Sequence, residues 1–127
     1  MIFDTNILIY ADRGVVPAKK LIMSTQNRSI SAVTYMEYLP FCRNKHELII
    51  FEKMLKALQF TIHEVDQAIS YNARQLVRQY ALSHSMEMGD ALIAATALTH
   101  DELLCTSNIK HFAPINGLLL EQFQPGD

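Results

Sequence analysis

Two cysteines are all this chain carries, Cys42 and Cys105, and both stand in apolar settings, LPFCR and LLCTS. A disulfide scaffold is not expected, and the pair reads as reduced core thiols of a cytoplasmic protein. No stretch approaches the ~20 consecutive apolar residues that a membrane span requires. Met1-Ile2-Phe3 is too short an apolar run for a targeting segment, and no basic segment leads into a longer one, so no secretory signal is expected. Positive charge is not in excess: 11 Lys and Arg stand against 13 Asp and Glu, for a net charge of -2. That excludes a generic basic nucleic-acid binder. It does not exclude an enzyme that meets nucleic acid through metal ions and local basic spots. Repeats, low-complexity tracts and linkers are absent as well. At 127 residues a single domain over 1–127 is expected, burying roughly two-thirds of its unfolded surface.

What is present is a regular alternation of periods. Half of the residues are apolar and 19% are charged, as in a soluble globular protein. Ile2-Phe3 reads as a short buried strand. Asn6 to about Ala11 reads as a helical turn or two, broken by Arg13-Gly14. Pro17 suits the start of a second helix through Lys19, Lys20, Leu21 and Met23. Ser29-Ile30-Ser31 reads as a second strand, and helical spacing follows from Ala32 to Phe41 until Pro40 disturbs it. His46 to Leu58 is amphipathic, with Leu48, Phe51, Leu55 and Leu58 on one face and Lys53 and Lys56 on a wet one. Phe60-Thr61-Ile62 reads as a strand, and Asp66 as the N-cap of a long helix to about Ser83. A further helix is expected from Met86 to Thr99. Leu103-Leu104-Cys105 reads as a strand, Ile109 to Phe112 as a short turn, and Leu118-Leu119-Leu120 as a last strand. Residues from about 122 to 127 read as a frayed tail. Strands alternating with helices predict an α/β fold around a mostly parallel sheet.

Most acidic residues call for no explanation. Glu47, Glu52, Glu64, Asp101 and Glu102 lie among polar neighbours and read as solvated. Three others stand in apolar company. Asp4 follows the first strand, where open α/β sheets collect functional groups, although Asp, Thr and Asn there also cap helices well. Glu37 lies within Val33-Thr34-Tyr35-Met36-Glu37-Tyr38-Leu39; it is either one stripe of a surface helix or a carboxylate that needs a partner to be buried. Asp90 precedes Ala91-Leu92-Ile93-Ala94-Ala95-Thr96-Ala97-Leu98. It is an N-cap if the helix begins there, or an interior residue if the helix begins nearer Ser85. A fourth position, Asn108, follows the strand ending at Cys105 and reads as a turn residue, a cap or a member of a site. Two of these groups follow strands, and two lie on helices that would pack beside them. Clustered carboxylates repel one another and need a cation. Oxygen-only ligation suits Mg²⁺, with Mn²⁺ the alternative. Such an ion activates water and binds a phosphate oxygen, which is the chemistry of a metal-dependent nuclease.

Four pieces, in this order and spacing, resemble the PIN-domain ribonucleases, specifically the VapC-type toxins of bacterial toxin–antitoxin pairs. They are Ile2-Phe3-Asp4-Thr5-Asn6, Glu37 after Ser31-Ala32-Val33, Gly89 to Ala97, and Leu104 to Phe112. Together they span residues 1 to about 120. The resemblance implies a three-layer PIN-like fold, with a central mostly parallel sheet flanked by helices. It implies a catalytic set of Asp4, Glu37, Asp90 and Asn108, with Asp4, Glu37 and Asp90 as metal ligands. Asn6 and Thr106 match supporting positions, Asn6 orienting the site and Thr106 positioning water or a carboxylate. Asn108 is often Asp in the family; with Asn there, one well-held ion is expected. The resemblance further implies an RNA substrate hydrolysed by metal-activated water, a homodimer, and a cognate antitoxin whose tail crosses an apolar groove towards the acids. The helices from Lys19 to Met23 and from His46 to Leu58 are candidates for that groove. Arg13, Arg43, Lys45 and Lys110 are candidates for RNA contacts. The five histidines, His46, His63, His84, His100 and His111, show no metal-ligand spacing and read as structural or surface residues. A dehalogenase-type phosphatase would need a second Asp two residues after Asp4, where Asn6 stands. A catalytically inactive PIN fold that only binds a partner or RNA is the other reading that Asn108 keeps open.

Overall fold

A computed structural model describes residues 1–126 of the chain. Ile2–Phe3 forms β1, two residues with no exposed surface. Successive side chains of a strand point to opposite faces, so the two residues enter different cores. Ile2 joins Leu104 in one apolar cluster, and Phe3 joins Ile30 and Cys105 in the other. Each such side chain contributes roughly 1.5–3 kcal/mol on burial. A strand covered on both faces in this way fixes a three-layer arrangement.

The remaining strands are β2 (Ser29–Ser31), β3 (Thr61–His63), β4 (Leu104–Thr106) and β5 (Leu120–Gln122). The sheet order is β3-β2-β1-β4-β5, and all four pairings are parallel. From β1 the chain first builds outward through β2 to β3, then returns to place β4 and β5 on the other side. The junction between β1 and β4 is therefore the topological switch point, where ligand sites of such sheets lie at the carboxyl ends of the strands.

One face carries α1 (Thr5–Asp12), α2 (Val16–Ser24) and α4 (Lys45–Ala57), whose Ile7, Leu8, Ala18, Ile22, Phe51 and Leu55 pack against Phe3 and Ile30. Pro17 lies in the first turn of α2, where its missing N–H has no intrahelical partner to lose. Gly14, at φ +86°, turns the chain between α1 and α2. The other face carries α5 (Gln67–His84) and α6 (Met88–His100), and α3 (Ala32–Tyr38) lies beside them. Side chains cap most of these helices: Asp4 for α1, Ser31 for α3, Asn44 for α4 and Asp66 for α5. Pro40 ends α3, and a tight turn over Leu39–Phe41 follows. A one-turn α7 (Ile109–Phe112) links β4 to β5 and is pinned by the fully buried Phe112.

Several expectations shift. The last strand runs over Leu120–Gln122 rather than Leu118–Leu120, because its partner in β4 sets the register: Thr106 faces Gln122. Gln122 and Phe123 are thus no tail. The Phe123 N–H donates to the Thr106 carbonyl at 2.8 Å, and its ring is 7% exposed. Of the expected tail, Asp127 lies outside the described residues. Glu102 is not simply solvated: it is half-buried, bonded to His63 and 3.2 Å from the Met1 amino group, and the His63 ring stacks on His100 at 3.8 Å. Cys105 is a core thiol, pushed up to about 12 by burial, whereas Cys42 is only half-buried; both are free. Among the described residues no helix is long and apolar enough to cross a membrane.

Candidate functional site

Asp4 is the first residue beyond β1, and the Cys105 carbonyl accepts from its backbone N–H at 2.9 Å. That bond ties it to β4 across the switch point. Its side chain does both things the sequence allowed. Oδ1 accepts from the Thr5 N–H at 2.8 Å and caps α1, while Oδ2 accepts from Thr106 Oγ1 at 2.7 Å. The residue is 6% exposed. Burial pushes its carboxyl above the ordinary value of 3.8. The Thr106 and Thr5 hydrogen bonds oppose this, and the charges of Asp90 and Glu37 add to it. Asp4 therefore feels the charges of the other two acids in the folded chain.

Glu37 comes from the last turn of α3. It is exposed, so the burial cost raised by its apolar neighbours in sequence does not arise. Thr5 Oγ1, 3.1 Å from Thr34 Oγ1, donates to Glu37 Oε1 at 2.6 Å. The other oxygen, Oε2, lies against Gly89: a Cβ built there would stand 2.8 Å from it. Gly89 thus leaves the space that the Glu37 carboxylate uses.

Asp90 is not the cap but lies inside the helix, the second of the two expected arrangements. Ser85 adopts a left-handed conformation that ends α5, and extended Glu87 is the N-cap of α6, so the helix begins at Met88 and Asp90 falls in its first turn. A carboxylate is favoured there by the helix dipole. Burial nevertheless pushes its carboxyl up; His111 lowers it and Glu87 raises it. His111 Nδ1 lies 3.1 Å from Asp90 Oδ2.

Thr106 ends β4 with no exposed surface. While donating to Asp4, its Oγ1 accepts from the Asn108 backbone N–H at 2.9 Å. Asn108 occupies the N-cap position of α7, yet its exposed side chain makes no cap bond. It joins the site through its main chain. Asn6 is half-buried in the first turn of α1, two residues beyond Asp4. Of the basic candidates, Arg43 is committed to Glu47 at 2.7 Å, while Arg13, Lys45 and Lys110 are exposed.

Asp4, Glu37, Asp90 and Thr106 are thus brought to one end of the sheet. The donor set is all oxygen, and no ion pair among the described residues gives Asp4 or Glu37 a cation. As arranged, however, no three Asp, Glu, His or Cys side chains among the described residues converge enough to hold an ion by themselves. Glu37 is drawn to Thr5 and Asp90 to His111. Such a set fits a hard divalent ion that keeps several waters and takes one or two carboxylates directly, as Mg²⁺ does. Thr5 and Gly89 lie in the quoted motif pieces with no part assigned to them in the site, and His111 reads from sequence as a structural or surface residue. Each acts on an acid supplied by a different element, so no local spacing announces them.

The family description "PIN domain" matches residues 1–115. Ribonuclease VapC10 of Mycobacterium tuberculosis is 30% identical over 129 residues, covering 98% of this chain and 91% of that protein. Ribonuclease VapC1 of Rickettsia felis is 28% identical, over 93% of this chain and 92% of its own. A toxin–antitoxin complex from Klebsiella pneumoniae superposes with a TM-score of 0.76 at 30% identity, over 99% of this chain and 98% of the other. VapBC2 from Rickettsia felis, bound to a DNA fragment from its promoter, gives 0.72 at 24% identity, over 98% and 100% of the two chains, and so speaks for the fold alone. The pattern match over most of the chain and the relative at 30% identity agree with the fold and the clustered acids: the chain belongs to the PIN domain family, in its VapC group.

Proposed function

We propose that this protein is a divalent-metal-dependent endoribonuclease, a toxin whose activity a cognate antitoxin holds in check. One observation carries the reading: Asp4, buried at the switch point and held by Thr106, stands beside Thr5, whose hydroxyl holds Glu37, while Gly89, next to Asp90 in α6, lies against the other Glu37 oxygen. Acids gathered in this way at the carboxyl ends of strands are the common mark of a functional site. Asp4, Asp90 and Glu37 are the residues that would hold the ion. A bound Mg²⁺, or Mn²⁺ in its place, would supply activated water and charge stabilisation at a phosphate oxygen. The protein's own part is placement. Thr106 holds Asp4 at its inner oxygen, and Thr5 holds Glu37 at the rim. Exposed Lys110, two residues past Asn108, is the candidate for a phosphate contact nearest to the site in sequence. With Asn108 neutral, three carboxylates support one well-held ion; calorimetry showing two tight sites per chain would overturn that count.

The antitoxin reading has its own support. A groove of about 410 Å³ opens between α1, α2 and α4, lined by Leu8, Ile22, Met23, Phe51, Met54 and Leu58 among others. The two helices expected to supply it, Lys19 to Met23 and His46 to Leu58, both contribute walls. The structural relative at 30% identity is itself a toxin–antitoxin complex, and an apolar helix or extended tail suits such a groove. Homodimerisation belongs to the same proposal and is tested by mass measurement in solution.

The deciding experiment is cleavage of a total-RNA preparation by the purified chain, with Mg²⁺ or with EDTA, beside an Asp90→Asn control. Discrete fragments that require the metal and vanish in the variant are expected. Absence of cleavage, with RNA or antitoxin still bound, would instead favour the binding-only reading.

A further inference from the structure

Asp4 and Glu37 each have an oxygen held by a threonine hydroxyl of a neighbouring element, and Asp90 has a ring nitrogen beside one of its oxygens. Thr106 Oγ1 at the end of β4 holds Asp4 Oδ2 at 2.7 Å. Thr5 Oγ1 in α1 holds Glu37 Oε1 at 2.6 Å. His111 Nδ1 in α7 lies 3.1 Å from Asp90 Oδ2 in α6. The first two donors are hydroxyls on rigid elements. The third is a ring carried by a single helical turn, and that turn is fixed by Phe112, which has no exposed surface.

We infer that His111 is a positioning residue: its Nδ1–H fixes one oxygen of Asp90, so that the carboxylate offers the other to the divalent ion. The inference rests on the reading of Asp90 as an ion ligand. The terminal torsion of an aspartate is broad and two-fold, so an unrestrained carboxylate spreads its lone pairs over many directions. Asp90 is only half-buried, with 21% of its side chain exposed, and packing alone does not lock it. Hydrogen bonds to metal-binding carboxylates from the surrounding shell do lock them, and their loss costs roughly 10- to 100-fold in ion affinity. The imidazole needs only its neutral form with the proton on Nδ1.

The test measures Mn²⁺ and Mg²⁺ binding to the full chain by titration calorimetry, with no RNA present. It compares the wild type with Asp90→Asn, His111→Ala, His111→Asn and His111→Gln. The asparagine amide nitrogen falls near the position of Nδ1, whereas the glutamine amide reaches towards Nε2. Expected are affinities about 10- to 100-fold weaker for His111→Ala and His111→Gln, recovery of most of the loss in His111→Asn, and thermal midpoints unchanged. Loss of binding in Asp90→Asn with wild-type affinity in His111→Ala would overturn the positioning role and leave the ion site standing. Equal weakening in all three His111 variants would overturn the role of the Nδ1–H. Undiminished binding in Asp90→Asn, or no binding by the wild type, would overturn the ion site and this inference with it. If His111 only gripped substrate, ion affinity would stay at the wild-type level and KM for RNA would rise.

Discussion

At the residue scale, the site conflicts with the stability of the chain that carries it. Burial raises the pKa of Asp4, so its ionised form opposes folding. The stability it contributes is fully present below its unfolded value near 3.8 and is lost as pH rises through the raised value. Asp4→Asn should therefore stabilise the ion-free protein at neutral pH and raise its thermal midpoint. The gain should disappear near pH 3.5, where both side chains are neutral, and cleavage should be abolished; melting curves at the two pH values check the sign. Gly89 makes the second residue-scale case. Alanine in a helix ordinarily gains roughly 0.5–1 kcal/mol over glycine, but here its Cβ would meet Glu37 Oε2 at 2.8 Å. Gly89→Ala should keep or raise the thermal midpoint while lowering cleavage on the order of 10-fold. A variant with full activity would show that Glu37 does not need its present position.

At the element scale, capping and helix boundaries decide where the acids fall. Asp66 accepts from the Ile69 N–H at 2.9 Å and starts α5 as its sequence indicates. Asp66→Ala should cost about 1 kcal/mol of stability and leave cleavage untouched, which denaturant titration beside an RNA assay would show. The start of α6 was less legible. Nothing in Ser83-His84-Ser85-Met86 announces that Ser85 turns left-handed, a conformation uncommon for residues other than glycine. That two-residue difference places Asp90 in the first turn, within reach of His111. The last strand moved for a similar reason, since three leucines carry no register and only the pairing with β4 supplies one.

At the scale of the whole molecule, the fold separates two surfaces. The acids gather at the carboxyl ends of β1 and β4, while the apolar groove opens on the layer of α1, α2 and α4. Ile50 lines the groove and is 52% exposed. Its replacement should disturb a partner without disturbing the core. Ile50→Asp is expected to fold and cleave RNA as the parent does, yet to escape inhibition by the antitoxin; a co-purification assay paired with cleavage tests both halves. Retained inhibition would move the partner to another face.

The sequence by itself determined the α/β alternation, the buried strand Ile2–Phe3, the capping residue Asp66, and the acids worth watching. These follow from periods of two and 3.6 and from polar groups set among apolar ones, and both are local properties of the chain. Only the tertiary structure decided the rest. It made Asp4 at once a cap and a buried acid, left Glu37 exposed, joined Asn108 to the site by its backbone, and drew Thr5, Gly89 and His111 to the carboxylates. Those contacts cross between α1, α3, α6 and α7. They depend on how the helices pack over the switch point, which no spacing along the chain records.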